Sequence, residues 1–125
     1  MVIQESAEMY LETILVLSKT SDEVRAVDIA NKLEYSKPSV SVAMKNLRQN
    51  GYIDIDANGF ITLTDKGRQI AETIYERHRL IADWLIYLGV REEVALQDAC
   101  KMEHVISAES FEAMKKHWKE IMRNS

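Results

Sequence analysis

The sequence predicts a mainly α-helical chain carrying one small β-hairpin, and three observations lead there. Apolar residues recur three and four apart over most of the 125 residues. Between Ile53 and Leu63 the spacing switches to two. No Pro/Gly/Ser-rich linker or internal repeat interrupts the pattern. An apolar content of 46% is enough to build a core, while 29% charged residues and a net charge of −4 exclude a disordered, collagen-like or polybasic chain.

Ser6 is expected to cap the first helix, with Glu8 in its first turn and Tyr10, Ile14 and Leu17 on its apolar face, until Ser18 to Asp22 break it. Asp28 to Leu33 forms a short amphipathic segment in which Ile29 and Leu33 are four apart. After Glu34, Tyr35 and Ser36 a second run opens at Pro38, the only proline, which a helix tolerates best in its first turn; Ser36 is its expected cap. Val40, Met44 and Leu47 make its buried stripe, and Asn50-Gly51 stops it. Two short helices joined this tightly read as a helix-turn-helix. Ile53 and Ile55 then alternate with Asp54 and Asp56, Asn58-Gly59 turns the chain, and Phe60 to Leu63 return as a second strand. The hairpin turns the helix-turn-helix into a winged one, whose second helix enters the major groove of DNA.

Thr64, with Asp65 in the first turn, opens a long helix whose apolar positions Ile70, Ile74, Ile81, Leu85 and Leu88 run on to Gly89, and whose stripe also contains His78. Arg91 to Ile106 reads as a further helix. Ser107 caps a last one with Phe111, Met114, Trp118 and Met122 on one face. The change of architecture sets the boundary: residues 1–64 form a winged helix-turn-helix domain and residues 65–125 a helical domain. Trp84 and Trp118 are read as core or subunit-interface residues.

No apolar run approaches the about 20 residues of a membrane span. The opening MVIQESAEMYLE carries acids and no basic leader region, so a cytoplasmic protein is expected. A single cysteine, Cys100, fits a reducing compartment and excludes an intramolecular disulfide.

The acidic balance runs against nucleic-acid binding, but local charge overrides it: Tyr35 to Ile53 contains no acid. Ser36, Lys37, Pro38, Ser39 and Ser41 start the second helix of the motif, where hydroxyls and an ammonium meet phosphates and base edges. Lys45 and Arg48, farther along, suit phosphate contacts.

Cys100, Glu103 and His104 stand at i, i+3 and i+4 of one helix, which places a thiol, a carboxylate and an imidazole on a shared face. Together they are a transition-metal donor set, although a small buried thiol beside a surface Glu and His is the bland alternative. Met9 and Glu12, also i and i+3, share a face of the first helix, and His78 needs a partner within its apolar stripe. A cysteine nucleophile with a histidine base is the catalytic alternative. Side chains projecting in parallel from one helix, with no Gly-rich loop nearby, argue against it, so neither an enzyme nor a small organic substrate is expected.

Glu8-Met9-Tyr10-Leu11 with Thr13-Ile14, Ser36-Lys37-Pro38-Ser39-Val40-Ser41, Arg77-His78-Arg79-Leu80, and Asp98-Ala99-Cys100 followed by Glu103-His104-Val105 occur in this order over nearly the whole chain. In these segments the sequence resembles the diphtheria toxin repressor and manganese transport regulator family of metal-dependent bacterial repressors. The resemblance implies a homodimer on palindromic double-stranded operator DNA, with the helical domain binding metal and dimerising. It implies Met9, Cys100, Glu103 and His104 as an iron-regulator-like ligand set, and Glu12 and His78 as positions that manganese-type members also use. Fe(II) is favoured with Mn(II) second, and Co, Ni or Zn are expected to substitute in vitro. The ion would clamp the DNA-reading domain to the dimerisation domain and so control metal-homeostasis genes. The chain departs from the iron branch at Glu12, a carboxylate where a basic residue is usual, and at Ala82 and Leu96, where a second site would need a carboxylate and a histidine. Its length implies the short form without an SH3-like domain. A metal-independent winged-helix regulator, or a protein-interaction module, is the alternative.

Overall fold

The structure is a computed structural model that describes residues 5–124; Met1 to Gln4, part of the opening segment read as lacking a leader, lie outside the described residues. The elements are α1 (Glu5–Ser18), α2 (Ala26–Leu33), α3 (Lys37–Gln49), β1 (Ile53–Ile55), β2 (Ile61–Leu63), α4 (Asp65–Tyr87), α5 (Glu92–Val105) and α6 (Ala108–Arg123). They divide into two compact units, residues 1–73 and 74–125.

In the first unit, α1 presents Leu11, Ile14 and Leu15 to the core, with Tyr10 and Leu17 only half-buried, so the apolar stripe is rotated about one residue from the one spacing predicts. Ser6 lies inside α1, not at its cap, because the helix already includes Glu5. Ile29, Val40, Met44, Leu47, Ile53 and Ile61 complete this core. The link from α2 to α3 is short because Glu34 takes a left-handed conformation (φ 59°) and Tyr35 N–H donates to the Ala30 carbonyl at 3.0 Å, closing α2 within one residue. Ser36 caps α3 as expected, its Oγ accepting from Ser39 N–H.

β1 and β2 pair antiparallel, Ile53 with Leu63 and Ile55 with Ile61, so Ile53 and Ile61 are buried while Asp54 and Thr62 face outward. Asp56 builds the turn: its Oδ1 accepts from Asn58 and Phe60 N–H at 2.9 Å each, and Gly59 takes the left-handed φ of 84°. Thr64 starts α4, its Oγ1 accepting from Gly67 N–H at 3.2 Å. Gly67 itself is required by close approach, since a Cβ there would meet the Tyr52 carbonyl oxygen at 2.0 Å.

In the second unit Ile81, Ala82 and Ala99 form a core with Leu85, Met102 and Met114 against it. Ala95 and Ala99 are fully buried, and small residues at these positions let neighbouring backbones come close. The apolar stripe of α4 ends at Leu85. Leu88 lies beyond the helix and is 66% exposed, because α4 stops at Tyr87 and Gly89 (φ 104°) redirects the chain. Ser107 caps α6, accepting from Ser110 N–H at 3.1 Å. Phe111 is buried, Met114 and Trp118 are half-buried, and Met122 is exposed. The Trp118 ring meets Tyr87 edge-on at 5.7 Å. Lys115 donates to Glu76 at 3.0 Å, and that bond raises the lysine pKa.

Candidate metal centre and nucleic-acid interface

The recognition-helix residues are all presented outward. Ser36, Lys37, Pro38, Ser39, Ser41, Lys45 and Arg48 are exposed, while Val40, Met44 and Leu47 on the opposite face are buried. Ser36 Oγ also donates to Ser39 Oγ at 2.7 Å, so two of the hydroxyls hold each other at the helix start. Val42, which the sequence reading passed over, is 61% exposed among these polar residues. The signal was available: Val42 stands off the Val40/Met44/Leu47 stripe and yet is apolar.

The donors of the second unit converge. Single ligand atoms of Cys100, Glu103 and His104 all lie within 4.8 Å of one another. Glu103 is 0% exposed although it is an acid, because α5 buries Ala95, Ala99 and Glu103 at successive four-residue steps of the same face. His78, brought from α4, places Nδ1 2.8 Å from Glu103 Oε2. The other carboxylate oxygen, Oε1, is buried without a hydrogen bond, 3.4 Å from His104 Nε2. A buried carboxylate oxygen without a hydrogen bond is costly in the absence of a cation. A thiol, a carboxylate and an imidazole with ligand atoms this close together are a donor set that fits a divalent transition metal.

Met9 and Glu12 sit one turn apart on α1, in the first unit. The Met9 sulfur accepts a hydrogen bond from the Tyr35 hydroxyl at 3.3 Å, and the Tyr35 ring packs edge-on against Tyr10 at 6.0 Å. Burial, together with Tyr35, pushes the Tyr10 hydroxyl above its usual pKa, so no phenolate charge develops there near neutrality. Ala82 is buried in the core and Leu96 is 37% exposed, and neither hydrocarbon side chain carries a donor atom. Tyr35 on the Met9 sulfur is a contact between residues 26 positions apart, which no periodicity announces.

An exposed helix-turn-helix reading surface with a wing, on one chain with a helical unit that gathers sulfur, carboxylate and imidazole, defines a class: the metal-dependent DNA-binding regulators. The sequence places the chain more narrowly. It belongs to the iron-dependent repressor family, that of the diphtheria toxin repressor: the model described as iron dependent repressor, N-terminal DNA binding domain, matches residues 3–59, and that described as iron dependent repressor, metal binding and dimerisation domain, matches residues 64–124. The transcriptional regulator MntR of Escherichia coli O157:H7 is 35% identical over 112 residues, covering 90% of this chain and 72% of that protein. The iron-dependent repressor IdeR of Mycobacterium leprae is 34% identical over 104 residues, 82% of this chain and 45% of that protein. A manganese-dependent transcriptional repressor solved with manganese superposes with a TM-score of 0.83 at 28% identity, over 90% of this chain and 52% of that one. The chain thus spans about half the length of the last two. No described helix is long and apolar enough to cross a membrane.

Proposed function

We propose that this chain is a metal-dependent, DNA-binding transcriptional repressor that acts as a homodimer on palindromic operators of metal-homeostasis genes. The observation that carries the reading is Glu103, wholly buried, with Oε2 on His78 Nδ1, Oε1 without a hydrogen bond 3.4 Å from His104 Nε2, and a carboxylate oxygen within 4.8 Å of the Cys100 sulfur. In this reading Cys100, Glu103, His104 and His78 hold the ion, and the family resemblance adds Met9 and Glu12. Residues 1–64 read DNA and residues 65–125 bind metal and dimerise. When bound, a divalent ion supplies the positive charge that balances the buried carboxylate and thiolate and reduces the freedom of the helices that carry them.

The remaining steps belong to the chain's own side chains. Ser36, Lys37, Ser39 and Ser41 approach phosphates and base edges, Pro38 and Val42 offer apolar surface to thymine methyls, and Lys45 and Arg48 neutralise phosphates. Two recognition helices of a dimer must reach successive major grooves about 34 Å apart, so whatever restricts their separation in advance strengthens binding. Couplings of about 1–3 kcal/mol, 5- to 150-fold in affinity, are typical and suffice for a concentration switch. Sulfur donors from Met9 and Cys100 favour Fe(II), with Mn(II) second, and Co, Ni or Zn substitute in vitro. The role is regulatory, not enzymatic, and the location cytoplasmic.

Anaerobic calorimetric titration of the metal-free protein with ferrous and manganous ions, repeated on Cys100→Ala and His104→Ala, tests the reading. Micromolar or tighter binding that both variants lose is the expected result. A folded wild-type protein that binds neither ion overturns it and leaves a metal-independent winged-helix regulator.

A further inference from the structure

We infer that Arg77 is a positioning residue for the metal-donor helix; the inference rests on the metal reading above. Arg77 directly precedes His78 on α4, and its side chain is spent on the far end of α5. Nη1 donates to the carbonyl oxygens of both Glu103, at 3.2 Å, and Ile106, at 3.1 Å. The guanidinium lies 5.4 Å from the centroid of the Phe111 ring in the first turn of α6. Its Nε is buried and makes no hydrogen bond, so the residue is kept in place at an electrostatic cost.

The last four carbonyls of a helix have no partner within it, and a cation at that end satisfies them and complements the helix dipole. Here the carbonyls so held include that of a proposed ligand, Glu103, and α5 ends only two residues later, at Val105. Glu103 and His104 therefore both sit in the turn most prone to fraying. Arg77 ties that turn to the helix that carries His78 and to the start of α6, and so holds three donors from two helices at a constant spacing without itself touching the ion. Lysine would replace it only in part: an ammonium could donate to the two carbonyls that Nη1 now serves, but its flexible stem lacks the planar guanidinium that lies over the Phe111 ring at the same time.

Cobalt(II) is the probe, because its d–d absorption reports ligand geometry as well as affinity. The full-length protein is titrated as wild type, Arg77→Met and Arg77→Lys, with Met114→Ala as a control that weakens the same unit's core while leaving Glu103, Ile106 and Phe111, the partners of Arg77, in place. Partners that orient metal ligands typically contribute 10- to 100-fold in affinity. Arg77→Met is accordingly expected to bind cobalt at least about 10-fold more weakly with a shifted d–d spectrum, Arg77→Lys to fall between, and Met114→Ala to melt lower while keeping wild-type affinity and spectrum. If Arg77→Met unfolds, Arg77→Lys carries the comparison against the control. Wild-type affinity and spectrum in a folded Arg77 variant, or an equal loss in Met114→Ala, overturns the positioning role. A wild-type protein that takes up no cobalt overturns the metal reading itself, a different and separately visible failure.

Discussion

α3 and α5 are helices of 13 and 14 residues built on opposite plans. In α3, packing and chemistry occupy different faces: Val40, Met44 and Leu47 are buried, and every residue proposed to touch DNA is exposed. In α5 the packing face is also the chemical face, since Ala95, Ala99 and Glu103 form one buried stripe and the stripe ends in a carboxylate. A surface that meets a large external polyanion has to be presented, whereas donors that strip water from a small cation have to be gathered and shielded. The difference also separates what a change will do. On the proposed reading, substitutions on the outer face of α3, its Ser36 cap aside, should alter DNA binding with little effect on folding, and substitutions on the buried face of α5 should alter the site and its surroundings together.

The sharpest test of that contrast is Glu103→Gln, which keeps the shape of the side chain and removes its charge. Divalent-metal affinity measured by calorimetry should fall by more than the about 10- to 100-fold usual for residues that only orient ligands, with helical content by circular dichroism retained. Undiminished affinity would mean that α5 buries its carboxylate for packing alone. A smaller effect is expected from Ser36→Ala, which removes the cap of α3 and should lower the unfolding free energy in urea by about 1 kcal/mol. A loss well beyond that would show the exposed start of α3 to be structurally tied to its surroundings. The smallest is Lys45→Ala: stability should be unchanged within about 0.5 kcal/mol, while the slope of log affinity for DNA against log salt should drop by about 1. An unchanged slope would remove Lys45 from the proposed phosphate contacts.

Much of the first unit was legible in the sequence because its determinants are local. The Ser36 cap, the first-turn proline, the Asn50-Gly51 stop and the Asn58-Gly59 turn each act within a few residues, and each is found where spacing placed it. The errors came where local rules have weak authority. Ser6 satisfies the composition of a cap but lies within α1, and Leu88 continues a period that α4 has already ended. In α1 the apolar residues Tyr10, Leu11, Ile14, Leu15 and Leu17 admit more than one stripe, and packing settled on Leu11, Ile14 and Leu15.

The sequence by itself determined the helix-turn-helix with its wing, the exposed basic window on α3, and the i, i+3, i+4 donor triplet, since all of these follow from the periods of helix and strand. Only the tertiary structure decided that the acid of that triplet is buried on His78, 25 positions away, that Arg77 reaches the carbonyls of Glu103 and Ile106, and that Tyr35 donates to the Met9 sulfur. The physical reason is the same in each case. Period tells which face a residue shares, while the partner that satisfies a buried polar group is supplied by whichever element packs against that face.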